Sequence, residues 1–125
     1  MISHIHATTI VVSDQEKALD FYVNVLGWEK ADDAQMGPEM RWLTVVPPGA
    51  KTQLVLGHPS WVGDGKTPGG TVGISLVSPD IEATVATLTE RGVKFKGPIE
   101  AMPWGGKGVW FFDIDDNEFF LASEQ

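Results

Sequence analysis

The chain has no cysteine, a single tyrosine, three histidines and only nine lysines and arginines in 125 residues. Without cysteine there is no disulfide scaffold, no thiolate metal site and no thiol nucleophile. Seventeen aspartates and glutamates outnumber the basic side chains and leave a formal net charge of −8. A surface of that sign disfavours nucleic acid and anionic membranes, which are bound through clustered positive charge. No apolar run approaches the roughly 20 residues that span a bilayer. The opening Met1-Ile2-Ser3-His4 carries no basic leader, so the cytoplasm is the expected compartment.

What is present describes one globular domain, 42% hydrophobic and 21% charged. A chain of this size buries enough surface to fold without a covalent or metal staple. Five tryptophans and six phenylalanines supply many flat, rigid side chains, and large aromatics fill cores as readily as they line sites.

His6 to Val12 is rich in Thr, Ile and Val and reads as a strand. Ser13 stands three residues before Glu16, the spacing of a capping box. Ala18, Leu19, Phe21, Tyr22, Val25 and Leu26 then form a one-sided helical stripe that Gly27 ends. Trp28 to Ala31, Met40 to Val46 and Thr52 to Leu56 read as strands, with Pro47-Pro48-Gly49 as a turn. A glycine-bracketed loop from Gly57 to Gly70 follows, either functional or a linker between halves.

The second half repeats the first. Thr71 to Val77 is a strand, Ser78-Pro79 a helix start, and Ile81, Val85 and Leu88 an apolar stripe stopped by Gly92. Val93 to Lys96, Val109 to Ile114 and Glu118 to Ala122 are strands, and Gly97 to Gly108 is a second loop. Asp14 and Asp80 occupy matching places 66 residues apart, and Trp42 and Trp110 do so 68 apart. The order is β-α-β-β-β twice, module 1 over about residues 4–57 and module 2 over about 71–123 of a single 1–125 domain.

This pattern resembles the glyoxalase/bleomycin-resistance/extradiol-dioxygenase group, the vicinal oxygen chelate superfamily. The resemblance rests on Val11-Val12-Ser13-Asp14 leading into Ala18-Leu19-Asp20-Phe21-Tyr22 and Val25-Leu26-Gly27. Arg41-Trp42-Leu43-Thr44-Val45 with Pro47-Pro48-Gly49, and the closing run Phe112 to Leu121, complete it. It implies an α+β fold in which two tandem modules curl their sheets around a pocket on the concave face, in a homodimer. The family's chemistries range from lyases and dioxygenases to drug sequestration, so the fold alone does not choose a function.

The resemblance also implies four metal-ligand positions, which fall here on Ala7, Gln53, Gly73 and Phe120. Three of these cannot coordinate through a side chain, and one amide oxygen is a weak ligand. The family's usual metal, and with it any cofactor, is therefore expected to be absent. His4, His6 and His58 are the candidates for a non-standard site; His6 is one residue out of register for the family position.

Strand parity puts Gln53 and Val55, Phe120 and Ala122, Trp42 and Thr44, and Trp110 and Phe112 on the pocket face. Trp61 and Trp104 lie in loops, where a core role is harder to supply. Trp42, Gln53, Trp61, Trp104, Trp110 and Phe120 are thus the candidate binding residues for a flat apolar or cationic organic ligand. Glu118, on the face of Phe120, is the candidate for metal-free acid–base catalysis. Asp113, Asp115 and Asp116 read as turn acids, with Asp116 where the family often has glycine. Two functions stay open: binding of a small organic molecule in an aromatic pocket, or a metal-dependent glyoxalase-like lyase or dioxygenase built on His and Gln53.

Overall fold

The structure, a computed structural model, describes residues 1–63 and 65–124. The fold is α+β and divides into two compact units, residues 1–68 and Gly69 onward. Unit 1 contains β1 (Ala7–Val11), α1 (Gln15–Asp20), β2 (Glu29–Gln35), β3 (Arg41–Val46), β4 (Gln53–Gly57) and the one-turn α2 (Pro59–Val62). Its sheet runs β1-β4-β3-β2, with β1 parallel to β4 and the other pairs antiparallel. Unit 2 contains β5 (Gly70–Ser78), α3 (Ile81–Glu90), β6 (Lys94–Phe95), β7 (Glu100–Ala101), β8 (Lys107–Phe112) and β9 (Asn117–Ser123). Its sheet runs β5-β9-β8-β6, and β7 shares the outer edge of β8 with β6.

The duplicated order is present, with local differences from the sequence reading. Helix α1 is capped by Asp14, not Ser13: its carboxylate accepts from the backbone N–H of Glu16 (3.0 Å) and Lys17 (3.1 Å). In unit 2 the cap is Asp80, which accepts from Ala83 N, while the Ser78 hydroxyl pairs with that of Thr84. A carboxylate one residue on in unit 1, and two residues on in unit 2, takes each cap. The first apolar stripe is split, because a π-helical turn over Phe21–Val25 continues α1 with Leu26 N donating to Phe21 O. Strand β2 runs four residues past Ala31, as an edge whose residues are all exposed. The loop readings missed β7 and α2, which have two and four residues.

Alternation along the strands builds each core. In unit 1, Ile10, Leu43, Val45, Leu54 and Leu56 are buried on the face where α1 and its π turn add Ala18, Phe21 and Tyr22. Gln15 Nε2 pins the helix to the sheet by donating to the carbonyls of Arg41 (2.9 Å) and Leu56 (2.8 Å). In unit 2, Val109, Phe111, Phe119 and Leu121 are buried on the face that takes Ile81 and Leu88 of α3. Phe111 and Phe119 stack with ring centroids 5.5 Å apart. Each such side chain contributes roughly 1.5–3 kcal/mol by leaving water.

Two polar devices hold the ends of the sheets. Arg41 donates from Nε and Nη2 to both oxygens of Asp33 at 2.8 Å, and from Nη1 to Glu16 at 2.6 Å. It thereby ties the exposed edge strand and α1 to β3. In unit 2 the buried Asp113 carboxylate accepts from the backbone N–H of Asp115 (2.8 Å) and Asn117 (2.9 Å) and from Asn117 Nδ2 (2.9 Å). This shapes the β8–β9 turn, in which Asp116 adopts the left-handed φ of 61° usually left to glycine.

Replacing Asp113 by Ala strands several buried donors, so Asp113→Ala is expected to cost about 2–4 kcal/mol in urea unfolding; a loss under about 0.5 kcal/mol would show that the turn does not depend on it. The hydrogen bonds from Arg41 hold the Asp33 carboxyl at about 2, below its ordinary 3.8. A depressed folded-state value stabilises the fold above the ordinary value, and that stability is lost as pH falls through the folded value. The stability gap between the wild type and Asp33→Asn is therefore expected to be full at pH 7 and to shrink between about pH 4 and 2. A gap that stays constant down to pH 2 would contradict the pairing.

Candidate functional site

The helix-free face of each sheet carries most of the residues singled out above. In unit 1, register sets Ala7 opposite Gln53, and Thr9 and Thr44 on either side of Val55. Helix α2 lies on this face: a Cβ added at Gly57 would overlap Val62 and come within 3.2 Å of Thr9 Cγ2. The glycine is what lets α2 seat so closely. Once seated, α2 brings Trp61 beside Trp42, ring centroids 6.4 Å apart. His58 caps α2, its Nδ1 accepting from Ser60 N at 3.1 Å. Gln53 stands toward the other end of β4, four residues from Gly57.

Two polar atoms on these elements are shut from water and have no partner among the described residues: Gln53 Oε1 and Trp61 Nε1. Each such atom costs about 1–3 kcal/mol in the free protein. Thr44 differs: it is fully buried, yet its hydroxyl accepts from Asp32 N at 2.9 Å beside a bulge in β2.

In unit 2, Trp110 and Phe120 are direct cross-strand partners with centroids 4.6 Å apart. Trp104, in the turn before β8, meets Phe120 edge-on at 6.1 Å while remaining 68% exposed. Trp110, Phe120 and Trp104 are thus gathered into one cluster. A cavity of about 280 Å³ beside Trp110 is lined by Lys96, Gly97, Pro98, Glu100 and Val109 as well. Sequence reasoning missed Lys96, Pro98 and Glu100; the proline within a charged stretch between two apolar strands was the available signal. Glu118 lies two residues before Phe120 and faces Lys96, whose Nζ is 3.4 Å from both carboxylate oxygens. That places an ion pair, not an isolated acid, beside the aromatic cluster.

The metal positions implied by the resemblance do not fit a metal. Ala7, Gly73 and Phe120 offer no side-chain donor, leaving the Gln53 amide. Gly73 sits in a bulge between Thr71 and Ser75 with φ of +71°, where a histidine side chain would be strained. Among the described residues no three His, Cys, Asp or Glu side chains are grouped to hold an ion. His4 pairs with the Ser3 hydroxyl at 2.8 Å, the exposed His6 lies just before β1, and His58 serves as a cap.

A family model described as Glyoxalase/Bleomycin resistance protein/Dioxygenase superfamily matches residues 4–121. Among solved structures, a member of that superfamily from Sphaerobacter thermophilus is 60% identical, with 98% of each chain covered and a TM-score of 0.95. TnmS3, an antibiotic binding protein from Streptomyces sp. CB03234, is 40% identical over 99% of this chain and 98% of that one, with a TM-score of 0.86. The Bacillus subtilis protein YetH is 37% identical over 121 residues, covering 97% of this chain and 98% of that protein.

Proposed function

Because the chain belongs to the Glyoxalase/Bleomycin resistance protein/Dioxygenase superfamily, we propose that it binds a flat aromatic organic molecule without a metal, holding it rather than transforming it. The observation that carries this reading is the gathering of tryptophan and phenylalanine rings on the helix-free sheet faces. Trp42 with Trp61 and Trp110 with Phe120 and Trp104 do so in separate units. The hydrophobic cores are complete without them, since Phe111, Phe119, Leu43 and Val45 fill the opposite faces.

Aromatic faces spaced this way take up a planar ligand through burial and quadrupole contacts, each well-placed ring contributing about 0.5–1.5 kcal/mol beyond its area. A net charge of −8 favours cationic members of that class in the encounter step. The similarity to an antibiotic binding protein points the same way. Catalysis has less support: the donor set does not suit a metal, and the candidate acid Glu118 is engaged by Lys96.

Titration with a panel of planar aromatics (acridine, naphthalene and para-acetyl-para′-hydroxybiphenyl) is expected to quench tryptophan fluorescence saturably for at least one member. The response should be unchanged by excess EDTA, and Trp110→Ala should weaken it about tenfold or more. No saturable quenching by any member, or a response abolished by the chelator, would contradict the proposal.

A further inference from the structure

Unit 1 carries an uncharged donor and an uncharged acceptor for which its own fold has no use. Gln53 Oε1 and Trp61 Nε1 are both enclosed and both without a partner among the described residues. Several other polar groups of unit 1 are engaged. The Thr44 hydroxyl accepts from Asp32 N, Arg41 is held by Asp33 and Glu16, and Gln15 spans two strand carbonyls. Trp61 lies over the Gly57 end of β4 beside Trp42. Gln53 is four residues away along the same strand, about 13 Å at the usual rise per residue. Between them on the same face lies Val55, only 2% exposed beneath the covering residues, with a donor toward one end and an acceptor toward the other.

We infer that Gln53 and Trp61 determine which aromatic ligand is taken. Gln53 Oε1 accepts a hydrogen bond from a hydroxyl or N–H at one end of an elongated, uncharged ring system, and Trp61 Nε1 donates to a carbonyl-type oxygen at the other. The inference rests on the binding function proposed above and adds the polar complement of its ligand. Neither protein atom bears a formal charge, so a neutral partner satisfies both. Helix α2 is the part of the face that yields on entry: it is four residues long and held by Val62 over Gly57, Trp61 beside Trp42 and the His58 cap. A ligand that meets both atoms removes two penalties present in the free protein. One that lacks either group leaves a penalty in place and is rejected far more strongly than its lost contact area alone would cause.

The test uses para-acetyl-para′-hydroxybiphenyl, which has both groups, against para-acetyl-para′-methoxybiphenyl and para-ethyl-para′-hydroxybiphenyl, which lack the donor and the acceptor respectively. The wild-type chain is expected to bind the first about tenfold more tightly than either control. Gln53→Met, close to isosteric, should erase discrimination against the methoxy compound, and Trp61→Phe should erase discrimination against the ethyl compound. The Tm of unliganded Gln53→Met should be unchanged or higher, since an unpaired atom is removed. Equal affinity for all three biphenyls, discrimination that survives in the variants, or a Tm lowered by about 5 °C or more in Gln53→Met would overturn the inference. Failure of these biphenyls alone, with acridine or naphthalene still bound, also overturns it and leaves the aromatic binding site standing. Failure of every planar aromatic overturns the proposed function itself.

Discussion

Side chains of a β-strand alternate between two faces, and in each unit the helix covers one of them. That constraint organises the rest of the molecule. The covered faces collect Leu43, Val45, Leu54 and Leu56 in unit 1 and Val109, Phe111, Phe119 and Leu121 in unit 2. On the other faces, Val55 and Thr44 are also buried in unit 1, and it is there that Trp42, Trp61, Trp104 and Trp110 gather. Phe111 and Phe119 follow the parity of the core and read as packing. The opposite parity of Trp42, Trp110 and Phe120 is what makes a binding role the stronger explanation.

The scaffold spends its charged groups at the margins. Arg41 forks across Asp33 and reaches Glu16, clamping an edge strand that has no buried residue of its own. Asp113 organises the β8–β9 turn from within, so that Phe119 and Phe120 leave the turn in fixed register with Phe111 and Trp110. Lys96 faces Glu118 beside the aromatic cluster of unit 2. On the helix-free face of unit 1, Gln53 Oε1 and Trp61 Nε1 are enclosed without a partner among the described residues.

Much of this was legible in the sequence because it is periodic or local. The repeated β-α-β-β-β order follows from apolar spacing and the paired aspartates, and the parity of Trp42, Gln53, Trp110 and Phe120 follows from the strands. The glycine that the resembled family often has at Asp116 was the hint of its left-handed backbone. The caps fall one residue later in unit 1 and two later in unit 2 than the sequence indicates, because Ser13 and Ser78 stand close before Asp14 and Asp80; only the folded geometry shows which oxygen reaches the free N–H groups. Strand β7 and helix α2 are too short to carry a period. The unpaired state of Gln53 and Trp61 lies beyond any local pattern, because it depends on the tertiary packing that encloses both atoms.

The most direct test of the account is the indole N–H spectrum of the five tryptophans during titration with a bound planar aromatic. Trp28 packs against the buried Tyr22, centroids 5.4 Å apart, and serves as an internal reference away from the proposed faces. The account predicts saturable shifts for Trp61 and Trp110 with the Trp28 signal unmoved. Shifts spread equally over all five indoles, or confined to Trp28, would contradict it.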